Sequence, residues 1–103
     1  MKEIEFTIQL GLDDRLRETH VREKGRILDF AVQYETRQRG KWAPVVRYDT
    51  AHGFAHRDLY NVRGKTVKTP LVILSYNQAL TFAESDLRAN WQLYRERFLR
   101  ERR

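Results

Sequence analysis

The sequence contains no cysteine, which excludes disulfide bonds and thiolate metal sites. It also lacks any run of about 18 apolar residues, so it predicts no membrane-spanning helix and no membrane partner. The first ten residues, MKEIEFTIQL, carry acidic side chains inside the apolar stretch and have no small-residue cleavage site, unlike a signal peptide. These absences together predict a cytoplasmic protein.

Lysine is scarce, because it supplies only five of the twenty basic residues and arginine supplies the rest. The formal net charge is +6. The planar guanidinium fork of arginine suits phosphate groups, so this composition favours RNA or DNA as a partner. An acidic protein partner, or the arginine-rich surface of a thermophilic protein, would account for the same composition.

A chain of 103 residues without a linker or internal repeat predicts one α+β domain over residues 1–103. The polar residues 12–24 predict a short surface helix or an ordered loop. Alternation of apolar and polar side chains is typical of half-buried strands, and it predicts strands over residues 3–10, 26–37, 42–48, 55–61 and 66–68. We therefore expect a mostly antiparallel sheet of four to five strands.

The last third of the chain predicts a long helix packed on one face of that sheet. Ser75 and Gln78 have the spacing of a capping box at its start. Apolar residues then recur every 3.6 positions on average, which is the pattern of a helix face laid on a core: Leu80, Ala83, Leu87, Trp91, Tyr94 and Phe98.

A second apolar flank of the helix, formed by Phe82, Ala89 and Leu93, lies beside the first. Surplus apolar surface of this kind often marks a subunit interface, so we expect a homodimer. The alternative is that residues 12–24 cover the flank within one chain.

The stretch YDTAHGFAHRDLY, residues 48–60, holds two of the three histidines of the chain and two aspartates. If residues 51–54 form the loop of a hairpin, Asp49 faces His56 and Arg47 faces Asp58 across the two strands. Directly opposed residues share a face of a sheet. The sequence therefore predicts that these four side chains project together from the face away from the helix, with His52 at the loop tip.

This cluster has three interpretations. In the first, it cleaves RNA: His52 and His56 exchange protons, Asp49 or Asp58 orients an imidazole, and Arg47, Arg57, Lys65 or Lys68 holds the phosphate. In the second, Asp49, His52, His56 and Asp58 bind manganese, iron or zinc. Their spacing matches no metal motif, so we assign no metal ligand and no cofactor. In the third, the residues form a solvated polar face with an Arg47–Asp58 pair.

The string RYDTAHGFAHRD, followed by Gly64 and Lys65, resembles small prokaryotic proteins, loosely the TumE group of toxin–antitoxin proteins. The resemblance covers residues 47–65. It implies a small toxin that acts on RNA and has an antitoxin partner, and it assigns no catalytic role to any residue. We therefore expect an RNA-binding or RNA-cleaving protein, and the alternative is a non-catalytic dimeric interaction protein.

Overall fold

The computed structural model describes residues 1–72 and 74–101. Its order of elements confirms the predicted α+β class, with a long C-terminal helix on an antiparallel sheet. Within the described residues, the elements are β1 (Lys2–Gly11), β2 (Asp14–Glu23), β3 (Arg26–Gln38), β4 (Lys41–Asp49), a 3₁₀ turn (Ala51–Gly53), β5 (His56–Tyr60), β6 (Thr66–Pro70) and α1 (Tyr76–Arg100).

Each strand of the described sheet pairs with its neighbours in sequence, so the sheet is a meander from β1 to β6. Two of its hairpins turn through two residues, Lys24 with Gly25 and Arg39 with Gly40. All four of these residues have positive φ, at 49°, 77°, 53° and 76°. Positive φ at both loop positions matches the right-handed twist of the flanking strands, and glycine adopts it without strain.

The prediction of four to five strands is wrong, because the described sheet has six. The additional strand is β2, where the sequence predicted a surface helix or a loop. Its residues facing the helix include Asp14, Glu18 and His20, so hydropathy does not alternate along it. These polar side chains find partners instead: Tyr34 donates to Asp14 over 2.6 Å, and His20 Nδ1 lies 2.7 Å from Glu18 Oε2.

The helix begins as predicted. The Ser75 hydroxyl accepts a hydrogen bond from the Gln78 N–H, and the Gln78 side chain accepts one from the Ser75 N–H. The predicted stripe packs on the sheet, with Leu80, Ala83, Leu87 and Phe98 in the core. No helix in the described part of the chain is long and apolar enough to cross a membrane.

The second apolar flank of the helix is open, since Phe82 is 49% exposed and Leu93 is 63% exposed. The alternative that residues 12–24 cover this flank is wrong. Leu16 belongs to the core beneath the helix, at 2% exposure, and Leu12 is 91% exposed. The predicted homodimer stays a prediction.

Candidate active site

The sheet face away from α1, called the outer face below, is polar from one edge to the other. The strand pairings align two rows of side chains on this face. The first row is Glu5, Thr19, Ala31, Asp49, His56 and Pro70. The second is Thr7, Arg17, Gln33, Arg47, Asp58 and Lys68. The predicted register is therefore confirmed: Asp49 pairs with His56, and Arg47 pairs with Asp58.

The connection between β4 and β5 is fixed by its own polar groups. The Thr50 hydroxyl accepts a hydrogen bond from the Phe30 N–H at 3.1 Å and donates one to Asp29 at 2.8 Å. The Asp49 carboxylate accepts from the Ala51 N–H at 3.0 Å. The chain then reverses through His52 and Gly53, both with positive φ, at 71° and 84°. This turn holds the ends of the two strands at the separation that brings Asp49 to His56.

His56 lies between two carboxylates. Its Nε2 atom is 3.0 Å from Asp49 Oδ1 and 3.4 Å from Asp58 Oδ2, and its Nδ1 atom is 3.3 Å from the Phe54 carbonyl oxygen. His56 is 1% exposed, Asp49 6% and Asp58 7%. These three residues form the cluster that we call the His56 cluster. Its burial contradicts the interpretation of a solvated polar face.

Two cations flank the His56 cluster. Arg47 Nε lies 2.5 Å from Asp49 Oδ2, and Lys68 Nζ lies 3.1 Å from Asp58 Oδ1. Arg47 also donates to the Gln33 amide oxygen at 3.2 Å. The anticipated Arg47–Asp58 ion pair is therefore replaced by these two pairs, although Arg47 and Asp58 do face each other in the register.

The ionisation of Asp49 follows from these contacts. Burial alone would raise the pKa of its carboxyl group. The hydrogen bonds from Arg47 and from the Ala51 N–H, together with the charge of His56, outweigh burial and hold this pKa below its ordinary value of 3.8. Asp49 is therefore a stable anion near neutral pH, suited to holding a cation and unsuited to acting as a base.

The two histidines of the stretch differ in access. His52 is exposed at the loop tip, and its ring centroid lies 6.3 Å from that of His56. Both nitrogens of His56 face oxygen atoms of the protein. Of these two imidazoles, His52 is the one open to a substrate.

Two of the predicted phosphate-binding residues do not join the His56 cluster. Arg57 points to the opposite face of the sheet, where it donates to the Tyr94 hydroxyl at 3.3 Å. Lys65 lies in the β5–β6 turn and lines a separate cleft of about 370 Å³ with Arg63 and Arg97. Lys68 and Arg47 are the predicted cations that the structure does place at the cluster.

Tyr60 belongs to the same outer face of the sheet and was not among the predicted site residues. Burial raises the pKa of its hydroxyl; the nearby charges of Asp58 and Asp49 add to this, and those of Arg47 and Lys68 oppose it. The sequence does indicate that Tyr60 shares a face with His56 and Asp58, because the three residues follow one another at the two-residue period of a strand.

A groove of about 390 Å³ crosses the outer face beside the cluster. Arg47 and Asp49 line it at one side, and the acidic side chains Glu3, Glu5 and Asp29 line it elsewhere. Its volume lies in the range of about 300–1,000 Å³ that is usual for small-ligand sites. The His56 cluster therefore has a neighbouring space in which a substrate group could lie.

Three oxygen atoms surround His56, and this limits what its ring can do. A doubly protonated ring would donate to all of them. With Nε2 unprotonated, that nitrogen and one oxygen from each carboxylate are free to act as ligand atoms. One ligand atom from each of the three residues lies within 4.8 Å of the others, as in a metal site. Asp49, His56 and Asp58 are the residues of this site that could hold a metal ion.

The chain belongs to the DUF7718 family, a domain of unknown function, and the match covers residues 1–103. Comparisons with curated proteins and with solved structures find no match.

Proposed function

We propose that this protein binds RNA and cleaves it at the outer face of the sheet, with the His56 cluster as the reactive centre. The observation that carries the proposal is the burial of a histidine between two carboxylates, each paired with a cation, beside a groove. Buried titratable groups with specific charged partners in a cleft are typical of functional sites.

The reaction we propose is the internal transesterification of RNA. The 2′-oxygen attacks the adjacent phosphorus, the bond from phosphorus to the 5′-oxygen breaks, and the products carry a 2′,3′-cyclic phosphate and a 5′-hydroxyl. One proton leaves the 2′-hydroxyl for Asp58 Oδ1, the oxygen of the His56 cluster that makes no hydrogen bond, and one reaches the 5′-oxygen from His52. Arg47 and Lys68 are the cations beside the phosphate, where they would stabilise its extra negative charge.

Several basic groups that the rest of an RNA strand could contact lie round the β6 edge of the sheet. Lys68 stands on the outer face of this edge strand, and Lys65, Arg63 and Arg97 line the cleft around the β5–β6 turn and the end of α1. Contacts of this kind are made to phosphates without regard to sequence. We therefore propose that RNA is held along this edge, and that Lys65 contributes to binding and not to the chemical step.

A labelled RNA oligonucleotide tests both parts of this proposal. Binding should weaken steeply between low and high salt, because each neutralised phosphate releases counterions. Wild-type protein should cleave the RNA, and Asp58→Asn should reduce the rate by about 100-fold or more, as for a residue of a proton-transfer system. Asp13→Asn is the matched control, since Asp13 lies in the β1–β2 turn with its side chain 48% exposed.

The absence of RNA binding at low salt would contradict the proposed function. Equal cleavage by the wild type and by folded Asp58→Asn would contradict the placement of the reactive centre. Circular dichroism of each variant separates loss of activity from loss of fold.

The finer proposal, a toxin-type ribonuclease with an antitoxin partner, is supported by the resemblance of residues 47–65 to the TumE group. Induced expression of the wild-type chain in a bacterium should stop growth, and expression of Asp58→Asn should not. Normal growth with soluble wild-type protein present would contradict the toxin proposal and leave the ribonuclease proposal in place.

A second candidate is a non-catalytic dimeric interaction protein, and the exposure of Phe82 and Leu93 on α1 favours it. The two candidates differ in one result. An interaction protein would leave RNA intact under every condition and would lose its partner when Leu93 is replaced by aspartate.

A further inference from the structure

We propose that Asp49, His56 and Asp58 bind one divalent metal ion of the manganese, iron or zinc class, through Asp49 Oδ1, His56 Nε2 and Asp58 Oδ2. This inference deepens the proposed function, because it concerns the same cluster. The ligand set of one imidazole and two carboxylates is borderline between hard and soft, which suits these metals better than calcium or copper(I).

The separations of the ligand atoms agree with a shared ion. Metal–nitrogen and metal–oxygen bonds of about 2.1 Å place neighbouring ligand atoms about 3.0 Å apart in an octahedron and about 3.4 Å apart in a tetrahedron. His56 Nε2 lies 3.0 Å from Asp49 Oδ1 and 3.4 Å from Asp58 Oδ2. The separation between Asp49 and Asp58 is bounded by the 4.8 Å within which one ligand atom of each residue lies, so small side-chain movements would place all three on one ion.

The groups around the three ligands are those that metal sites use to orient their ligands. A metal-bound histidine usually donates its other N–H to a carbonyl or carboxylate. His56 Nδ1 has the Phe54 carbonyl oxygen at 3.3 Å for this purpose. Arg47 holds the second oxygen of Asp49, and Lys68 lies beside the second oxygen of Asp58. Asp49 Oδ1 is thereby directed to the centre, whereas Lys68 competes with a metal ion for the charge of Asp58.

An independent observation points to a cation. Asp58 Oδ1 is a buried carboxylate oxygen that makes no hydrogen bond, although Lys68 Nζ lies 3.1 Å away. A buried charged atom without a hydrogen bond is costly and calls for an explanation. A metal bound at Asp58 Oδ2 would give this carboxylate a second positive neighbour beside Lys68.

The charge around the groove supports the same conclusion. The side chains that line it include four carboxylates, Glu3, Glu5, Asp29 and Asp49, against the single arginine Arg47. An RNA phosphate would be repelled there without an added positive charge. Arg47 and Lys68 are each paired with one carboxylate of the cluster, so a divalent ion would add its positive charge to theirs where the phosphate must bind. Three protein ligands also leave a position for water or substrate, as in catalytic sites.

Calorimetric titration of the metal-free protein with Mn²⁺ and with Zn²⁺ tests the inference without RNA. The wild type should bind one equivalent. Asp58→Asn should weaken binding by about tenfold or more, since even partners of the ligands contribute about 10–100-fold, and the control Asp13→Asn should not change it. Lys68→Met should bind more tightly, because it removes a cation that competes for Asp58.

Nitrogen-15 NMR of the histidine rings gives a second measurement that needs no variant. One equivalent of Zn²⁺ should shift the Nε2 resonance of His56 and leave that of His20 in place. No saturable binding by the wild type, an unchanged dissociation constant in Asp58→Asn, weaker binding in Lys68→Met, or an unshifted His56 resonance would each overturn the inference. RNA cleavage that persists in a chelator would overturn the metal site and leave the proposed function standing. Metal binding without RNA cleavage would overturn the proposed function and leave the metal site standing.

Discussion

Glu18 provides a prediction whose size follows directly from the structure. Its carboxyl group is buried between β2 and α1, at 3% exposure, with His20 beside it and Glu84 and Arg88 on the facing helix. Burial, and then the hydrogen bond and repulsion from Glu84, raise the pKa of Glu18 from 4.5 to about 8, against a smaller opposing effect of Arg88. Near neutral pH this side chain is therefore largely protonated in the folded protein.

The sign of the effect on stability follows from the raised pKa. As the pH rises, the unfolded chain releases the Glu18 proton before the folded chain does. The contribution of Glu18 to the free energy of unfolding is therefore fully present below about pH 4.5 and falls until about pH 8. Each pKa unit corresponds to about 1.36 kcal/mol, which sets an upper value of about 5 kcal/mol for this loss. That is a large part of the total stability of about 5–15 kcal/mol that is usual for a domain.

Glu18→Gln removes this loss, because glutamine stays neutral and still offers an acceptor to His20 and a donor to Glu84. Urea unfolding of both proteins at several pH values measures the difference. The two should be similar at pH 4.5, and the variant should become the more stable by about 2–5 kcal/mol at pH 8. The exposed Glu96→Gln is the control. A difference that stays constant with pH, or that favours the wild type at pH 8, would refute the reasoning.

Two further predictions concern α1. Ser75→Ala removes the capping box and should lower the free energy of unfolding, measured with heat or urea, by about 0.5–2 kcal/mol. Ser85→Ala, in the exposed middle of the helix, should not lower it. Equal effects of the two substitutions would contradict the stabilising role of the capping box. If the exposed flank with Leu93 is a dimer interface, sedimentation should give roughly twice the 12.4 kDa chain mass, and Leu93→Asp, but not Gln92→Asp, should reduce it to one chain. A wild type that sediments as a monomer at micromolar concentration would contradict the homodimer.

The sequence predicted elements of the fold correctly where polar and apolar residues alternate with a clear period. The capping box at Ser75 and the helix stripe are local or strictly periodic, and both appear as predicted. The register of Asp49 with His56 was predicted only on the assumption that residues 51–54 form the loop, because loop length fixes the pairing in a hairpin, and the structure confirms it. β2 was not predictable, because its inward-facing side chains Asp14, Glu18 and His20 are polar, and its partners Tyr34 and Glu84 lie far away in the sequence.

The candidate site was predictable in its members but not in its environment. Strand alternation placed Arg47, Asp49, His56 and Asp58 on one face, and it wrongly suggested that this face is solvated. The cluster lies between the neighbouring strands β3 and β6 and beside the turn held by Thr50, where the Phe54 ring is 5.5 Å from that of His56, and none of this is visible in a local pattern. The exclusion of Arg57 follows from the same alternation, because Arg57 lies one residue from His56 and so points to the opposite face.

The proposed function requires that the His56 cluster cleave RNA through attack by a 2′-hydroxyl. Its most direct test is a DNA oligonucleotide that contains one ribonucleotide, incubated with the wild-type protein and one equivalent of Mn²⁺. The account predicts cleavage only on the 3′ side of the ribose, with a 2′,3′-cyclic phosphate on one product, and at least a 100-fold slower reaction with Asp58→Asn. An intact oligonucleotide in the presence of folded wild-type protein, or cleavage at positions without a 2′-hydroxyl, would contradict it.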